Sequence, residues 1–85
     1  MIMSEIIVGV SVKFREKTSL NLQEFFTKYG CNIKTRLGLH NVDQNACSPA
    51  GLIILQLYDA DAIVDNFIAE LNKIDGVTAK YMKLE

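Results

Sequence analysis

Cys31, Lys34, Arg36, His40, Asp43 and Cys47 are the residues of this 85-residue chain whose types and spacing could do chemistry. His40 is the only histidine, and it shares with Asp43 and Cys47 a stretch, 40–50, rich in Asn41, Asn45, Ser48 and Pro49. That composition predicts a long loop. Imidazole, carboxylate and thiolate converging there would suit zinc or nickel. A closed structural site wants about four protein ligands, so His40, Asp43 and Cys47 would have to act across subunits. The competing description is a polar loop with a surface histidine. Cys31 stands at the far end of the strand that leads to His40, ~30 Å away at about 3.3 Å per residue. It cannot share a disulfide or a metal with Cys47 inside one subunit, and is expected as a small buried residue near a helix end. Lys34 and Arg36 are two apart and so share one face of an edge strand. With Lys13 and Lys80 as sheet neighbours they could hold a carboxylate or phosphate. Lysine used on an edge strand to block further pairing accounts for them equally well.

The elements that must position these residues follow from periodicity. Ile6, Val8, Val10, Val12 and Phe14 alternate with Ile7, Gly9, Ser11 and Lys13, the pattern of a half-buried strand. From Ser19 to Tyr29 the period changes: Leu22, Phe25, Phe26 and Tyr29 form the stripe of an amphipathic helix. Thr18 or Ser19 is the expected N-cap, and Gly30 the residue that ends the helix with positive φ. Residues 31–39 read as a second strand, with Ile33, Thr35, Leu37 and Leu39 on one face and Asn32, Lys34, Arg36 and Gly38 on the other. Residues 51–58 are apolar on both sides, as in a central covered strand. Asp59 or Asp61 should cap a second helix carrying Ile63, Val64, Phe67, Ile68 and Leu71. Asp75-Gly76 makes a turn into a last strand, 77–84.

The order β-α-β-β-α-β with right-handed crossovers predicts an α+β, ferredoxin-like domain over 1–85. Its four-stranded antiparallel sheet would run 4-1-3-2 with both helices on one face. The third strand then has a side that no helix covers. If Ile53, Leu55 and Leu57 face the helices, Leu52, Ile54 and Tyr58 need other cover. A second subunit is the simplest source, so a homo-oligomer, dimer or tetramer, is expected.

Bulk composition agrees. Apolar residues make up 49% of the chain and the mean hydropathy is +0.15, rich for a domain this small. Nine basic against ten acidic residues give a net charge of -1, which removes the general electrostatic case for nucleic acid. No stretch reaches the ~18 apolar residues of a membrane helix. The N-terminal stretch lacks the features of a secretory signal, and two scattered cysteines point to a reducing cytoplasm.

Other functions of this strand order fit poorly. RNA-recognition modules stack bases on aromatics of the first and third strands, and here the first strand offers only Phe14, at its end. A phosphate-holding loop after the first strand would need glycine, which Arg15 to Thr18 lacks. Ser11, Ser19 and Ser48 have no histidine and carboxylate placed to activate them. The chain is expected not to be an enzyme, and no cofactor is indicated.

The strand Ile33-Lys34-Thr35-Arg36-Leu37-Gly38-Leu39, the apolar third strand and the turn Ile74-Asp75-Gly76-Val77 together resemble the small stand-alone regulators of the iron-only hydrogenase system. The resemblance covers almost the whole chain, including the arginine-hydrophobic-glycine step at Arg36-Leu37-Gly38. It implies an ACT-like domain with a regulatory role, binding a small-molecule effector or a protein partner near a subunit junction. Lys34, Arg36, His40 and Asp43 are the expected ligand-binding residues. A more distant likeness is to the C-terminal domain of nickel-responsive ribbon-helix-helix repressors, where a histidine-rich strand end and a cysteine bind nickel between subunits. His40 and Cys47 stand in loosely comparable places. The second histidine and the DNA-binding ribbon are absent from this sequence.

Overall fold

The computed structural model describes residues 4–13, 15–42 and 47–84, with side chains at 4–13, 20–39 and 51–84. Strand β1 (Glu5–Val12) leads to helix α1 (Arg15–Lys28) and a single 3-10 turn (Gly30–Asn32). Strands β2 (Ile33–Val42) and β3 (Cys47–Leu57), helix α2 (Val64–Asn72) and strand β4 (Val77–Leu84) complete the chain. The strands form one antiparallel sheet in the order β2-β3-β1-β4, the ferredoxin-like arrangement.

Alternation decides which face of β1 is inside. Ile6, Val8, Val10 and Val12 are buried beneath the helices, with Leu55 and Leu57 of β3 and Val77 and Ala79 of β4. The helix stripes close over them: Leu22, Phe25 and Phe26 from α1, and Val64, Phe67 and Leu71 from α2. Phe67 joins the two helices, its ring centroid 4.8 Å from that of Phe25 and 4.9 Å from that of Tyr29. These are edge-on distances at which ring quadrupoles attract.

Several boundaries differ from the sequence expectation. Helix α1 begins at Arg15, so Thr18 and Ser19 lie inside it rather than at its N-cap. Gly30 does not take positive φ; the chain tightens instead into the 3-10 turn that carries Cys31, which is exposed rather than buried. Neither Asp59 nor Asp61 caps α2, whose N-cap is Ile63 without a side-chain hydrogen bond. Asp61 accepts from the Ser4 N–H at 3.2 Å and pairs with Lys83 at 3.6 Å, fastening the start of β1. Asp59 holds a φ of 53°, uncommon outside glycine. The Asn32 side-chain amide steadies that turn by donating to the carbonyls of Tyr58 and Asp59, at 3.2 and 3.1 Å. Gly76, at φ 84°, makes the expected turn before β4.

The largest correction concerns residues 40–50. His40 lies inside β2, paired with Gly51, and Val42 pairs with Cys47. The expected long loop is a β-hairpin whose strands run further than their apolar patterns, and Asp43 falls outside the described residues. Pro49 is compatible with a strand here for a physical reason. The last β1 partner of β3 is Gly51, and a register shift interrupts the β2 ladder between His40 and Val42. Proline in a sheet is tolerated at such edges and irregularities.

Candidate functional site

A second irregularity decides where Arg36 points. Ile33 pairs with Leu57 and Thr35 with Gln56, so two residues of β2 advance against one of β3 and Lys34 is the extra one. An inserted residue inverts the alternation beyond it. Ile33 therefore packs on the core, while Leu37 and Leu39, two and four positions past Thr35, are 53% and 45% exposed on the helix-free side. Arg36 and Gly38 turn towards the helices instead, opposite Leu55 and Ile53. The expectation that Ile33 shares a face with Leu37, and Lys34 with Arg36, fails at this bulge.

The expected basic cluster does not assemble. Lys34 is exposed in the bulge. Lys13 follows the end of β1, its N–H bonded to the Gly76 carbonyl at 2.7 Å. Lys80 pairs with Gly9 on β4, three strand spacings or about 14 Å from β2. Of the four, Arg36 lines a cavity.

That cavity is a cleft of about 440 Å³ between α1 and the β2–β3 hairpin, lined by Leu22, Gln23 and Phe26 of α1 with Arg36, Gly38 and Ile53 beneath them. Its origin is a pair of glycines. Gly38 and Gly51 sit at helix-facing register positions where β1 offers Val10 and Val12. A Cβ on Gly38 would meet no heavy atom within 4 Å, so the sheet lacks there the side chains that elsewhere fill the space beneath a helix. Phe26 forms one wall and holds the Arg36 guanidinium 4.8 Å from its ring centroid, within cation–π range.

By sequence Leu22 and Phe26 belong to the apolar stripe of the helix, and periodicity gives Gln23 no role. The signal that could have found them is the coincidence of two glycines on adjacent strands, which leaves a hole under whatever helix crosses them. His40 occupies the next register position of the same row, opposite Gly51. Cys47 lies on the facing strand of the hairpin, so both belong to one local structure. Among the described residues no three metal-ligating side chains come together.

The uncovered face of the sheet forms the other surface of interest. Leu37 and Leu39 of β2, Leu52 and Ile54 of β3, and Met82 and Leu84 of β4 share it by register, and all but Ile54 are exposed. Tyr58, also 53% exposed, lies just past the end of β3. At one end the face is closed by a polar row in which Thr35 donates to Gln56 at 3.1 Å and Gln56 to Glu5 at 3.1 Å.

These features define a ferredoxin-like domain with a cleft on its helical face and an apolar sheet on the other. No family model and no curated protein matches the chain. Among solved structures, an uncharacterized protein from Thermotoga maritima is similar, with a TM-score of 0.81 at 23% identity, covering 95% of this chain and 96% of that one. The likeness establishes the fold. Among the described residues no helix is long and apolar enough to cross a membrane.

Proposed function

We propose that this chain is a non-enzymatic, ACT-like regulatory protein of the cytoplasm, a dimer or tetramer built through the helix-free side of its sheet and controlled by a small ligand. The observation that carries the proposal is the row of exposed leucines, Leu37, Leu39 and Leu52, beside Ile54 and Met82 on that side. Such a patch loses water-exposed apolar area when a second copy covers it, and a two-fold pairing presents the same patch from both partners. Neighbouring apolar side chains on three strands are more than scattered surface hydrophobics need. The arginine-hydrophobic-glycine step, Arg36-Leu37-Gly38, supports a regulatory role, through the resemblance to regulators of the iron-only hydrogenase system.

In this reading the same strand serves both functions. Alternate residues of β2 present Leu37 and Leu39 to the partner and Arg36 and Gly38 to the cleft, which Leu39 and Leu52 also border, so ligand and assembly meet along one strand. Light scattering after size exclusion tests the assembly. The wild type should elute as a dimer or tetramer, and Leu37→Glu or Ile54→Lys as a monomer with unchanged circular dichroism. A wild-type monomer at micromolar concentration would refute the assembly.

A further inference from the structure

We infer, extending the ligand-binding half of the proposed function and resting on it, that the cleft takes a small carboxylic acid with an apolar tail and no ammonium group. Its carboxylate meets Arg36 and its tail lies over Gly38 and Ile53, under Leu22 and Phe26.

Space comes first. The cleft of about 440 Å³ falls within the ~300–1,000 Å³ usual for small-molecule sites. The vacancy at Gly38 is not a strained turn awaiting a glycine, since its φ lies outside the left-handed region. A side chain there would be sterically admissible on its own backbone, so the missing one leaves volume rather than relieving strain.

Chemistry selects the occupant. The walls from Leu22, Phe26 and Ile53 are apolar, and an apolar tail gains by leaving water there. The guanidinium of Arg36 lies over the Phe26 ring. The contact fixes the cation at the cleft, and the fork of N–H groups that a guanidinium carries suits bidentate binding of a carboxylate. Among the described residues neither ion pair involves Arg36, and none of the residues lining the cleft is acidic. An α-ammonium brought into the cleft would meet no carboxylate among its described lining residues and would lose water there, an unfavourable exchange. An amino acid bears that cost, and its des-amino counterpart does not.

The test uses the full-length protein and two probe acids, phenylpropionate and isocaproate, each beside its primary amide and its amino acid, phenylalanine or leucine. Calorimetric titration should show both acids binding and the amides about ten- to hundredfold weaker, the span of a charged hydrogen bond lost. The amino acids should also bind more weakly than the acids. The backbone amide resonances of Gly38 and Ile53 should shift on acid addition. Arg36→Gln, at an exposed position, should erase the difference between acid and amide, and Gly38→Val should fill the cleft and abolish acid binding. Tighter binding of phenylalanine or leucine would overturn the ligand class while leaving a ligand-binding protein. Failure of both acids to bind at millimolar concentration would overturn the cleft assignment; the assembly is judged separately, by light scattering.

Discussion

The guanidinium of Arg36 rests 4.8 Å from the centre of the Phe26 ring, bridging the edge strand β2 and the helix α1. Among the described residues it is the one ring-and-cation contact between the sheet and α1; the other such contact, Lys28 over its neighbour Tyr29, lies at the end of the helix itself. It does two things at once: it ties the edge strand to the helix, and it orients a cation at the mouth of the cleft. A double-mutant cycle with Arg36→Ala and Phe26→Leu should give a coupling of about 0.5–1 kcal/mol, the exposed cation–π range. Denaturation midpoints of the four proteins measure it, and additive effects would show that the two side chains do not interact in solution.

Neighbouring residues of β3 should respond in opposite ways. Leu55 is fully buried under the helices, so Leu55→Ala should cost the folded subunit about 2–5 kcal/mol. Ile54, one position on, faces the helix-free side. Ile54→Ala should leave subunit folding nearly unchanged and weaken association instead. Urea unfolding at two protein concentrations separates the effects: the associated wild type and Leu55→Ala should have concentration-dependent midpoints, and Ile54→Ala should lose much of that dependence.

The free edge of β4 is held by a side chain acting as a strand. Asn72 donates to the Ala79 carbonyl at 3.0 Å and accepts from the Ala79 N–H at 2.7 Å. Asn72→Ala removes both bonds from a part-buried position and should cost about 1–3 kcal/mol. Hydrogen exchange at the Ala79 amide should accelerate more than at its neighbours, and an unaltered rate there would contradict the assignment.

Gly76 turns the chain into β4 at φ 84°. A Cβ at that angle clashes with the following carbonyl, so Gly76→Ala should destabilise by about 1–2 kcal/mol. Asp75→Ala, beside it, should be close to neutral. Thermal melts of the two variants provide the comparison.

Lys28 and Glu70 join the two helices with a 2.9 Å contact. The hydrogen bond from Lys28, then that from the Tyr29 hydroxyl, holds the Glu70 carboxyl below its usual value. The same bond to Glu70 raises the Lys28 ammonium. A lowered carboxyl stabilises the fold in full above its unfolded pKa and loses that contribution as pH falls through the folded value. A raised ammonium contributes in full below its unfolded pKa and loses that as pH rises through the folded value. The stability gap between wild type and Lys28→Gln should thus be small, present at neutral pH, and close as pH falls through the carboxylate range. Urea midpoints measured against pH follow it.

Much of this protein was decided by the order of its residues alone. Alternation at Ile6, Val8, Val10 and Val12, and the helical spacing of Leu22, Phe25, Phe26 and Tyr29, set the elements and the buried face of each. Those patterns are local consequences of strand and helix geometry, which is why they can be seen without coordinates. The strand order and the exposed side of β3 followed from them. What the tertiary structure alone decided was the direction of Arg36. One extra residue at Lys34 inverts everything after it on β2, and the choice of which residue to bulge depends on pairing with β3, far off in sequence. The length of the hairpin through Val42 and Cys47 depends on pairing in the same way, since its composition is that of a loop. The cleft itself arises only when α1 crosses a strand pair that happens to carry Gly38 and Gly51. Empty volume is a relation between elements, and no single stretch of chain contains it.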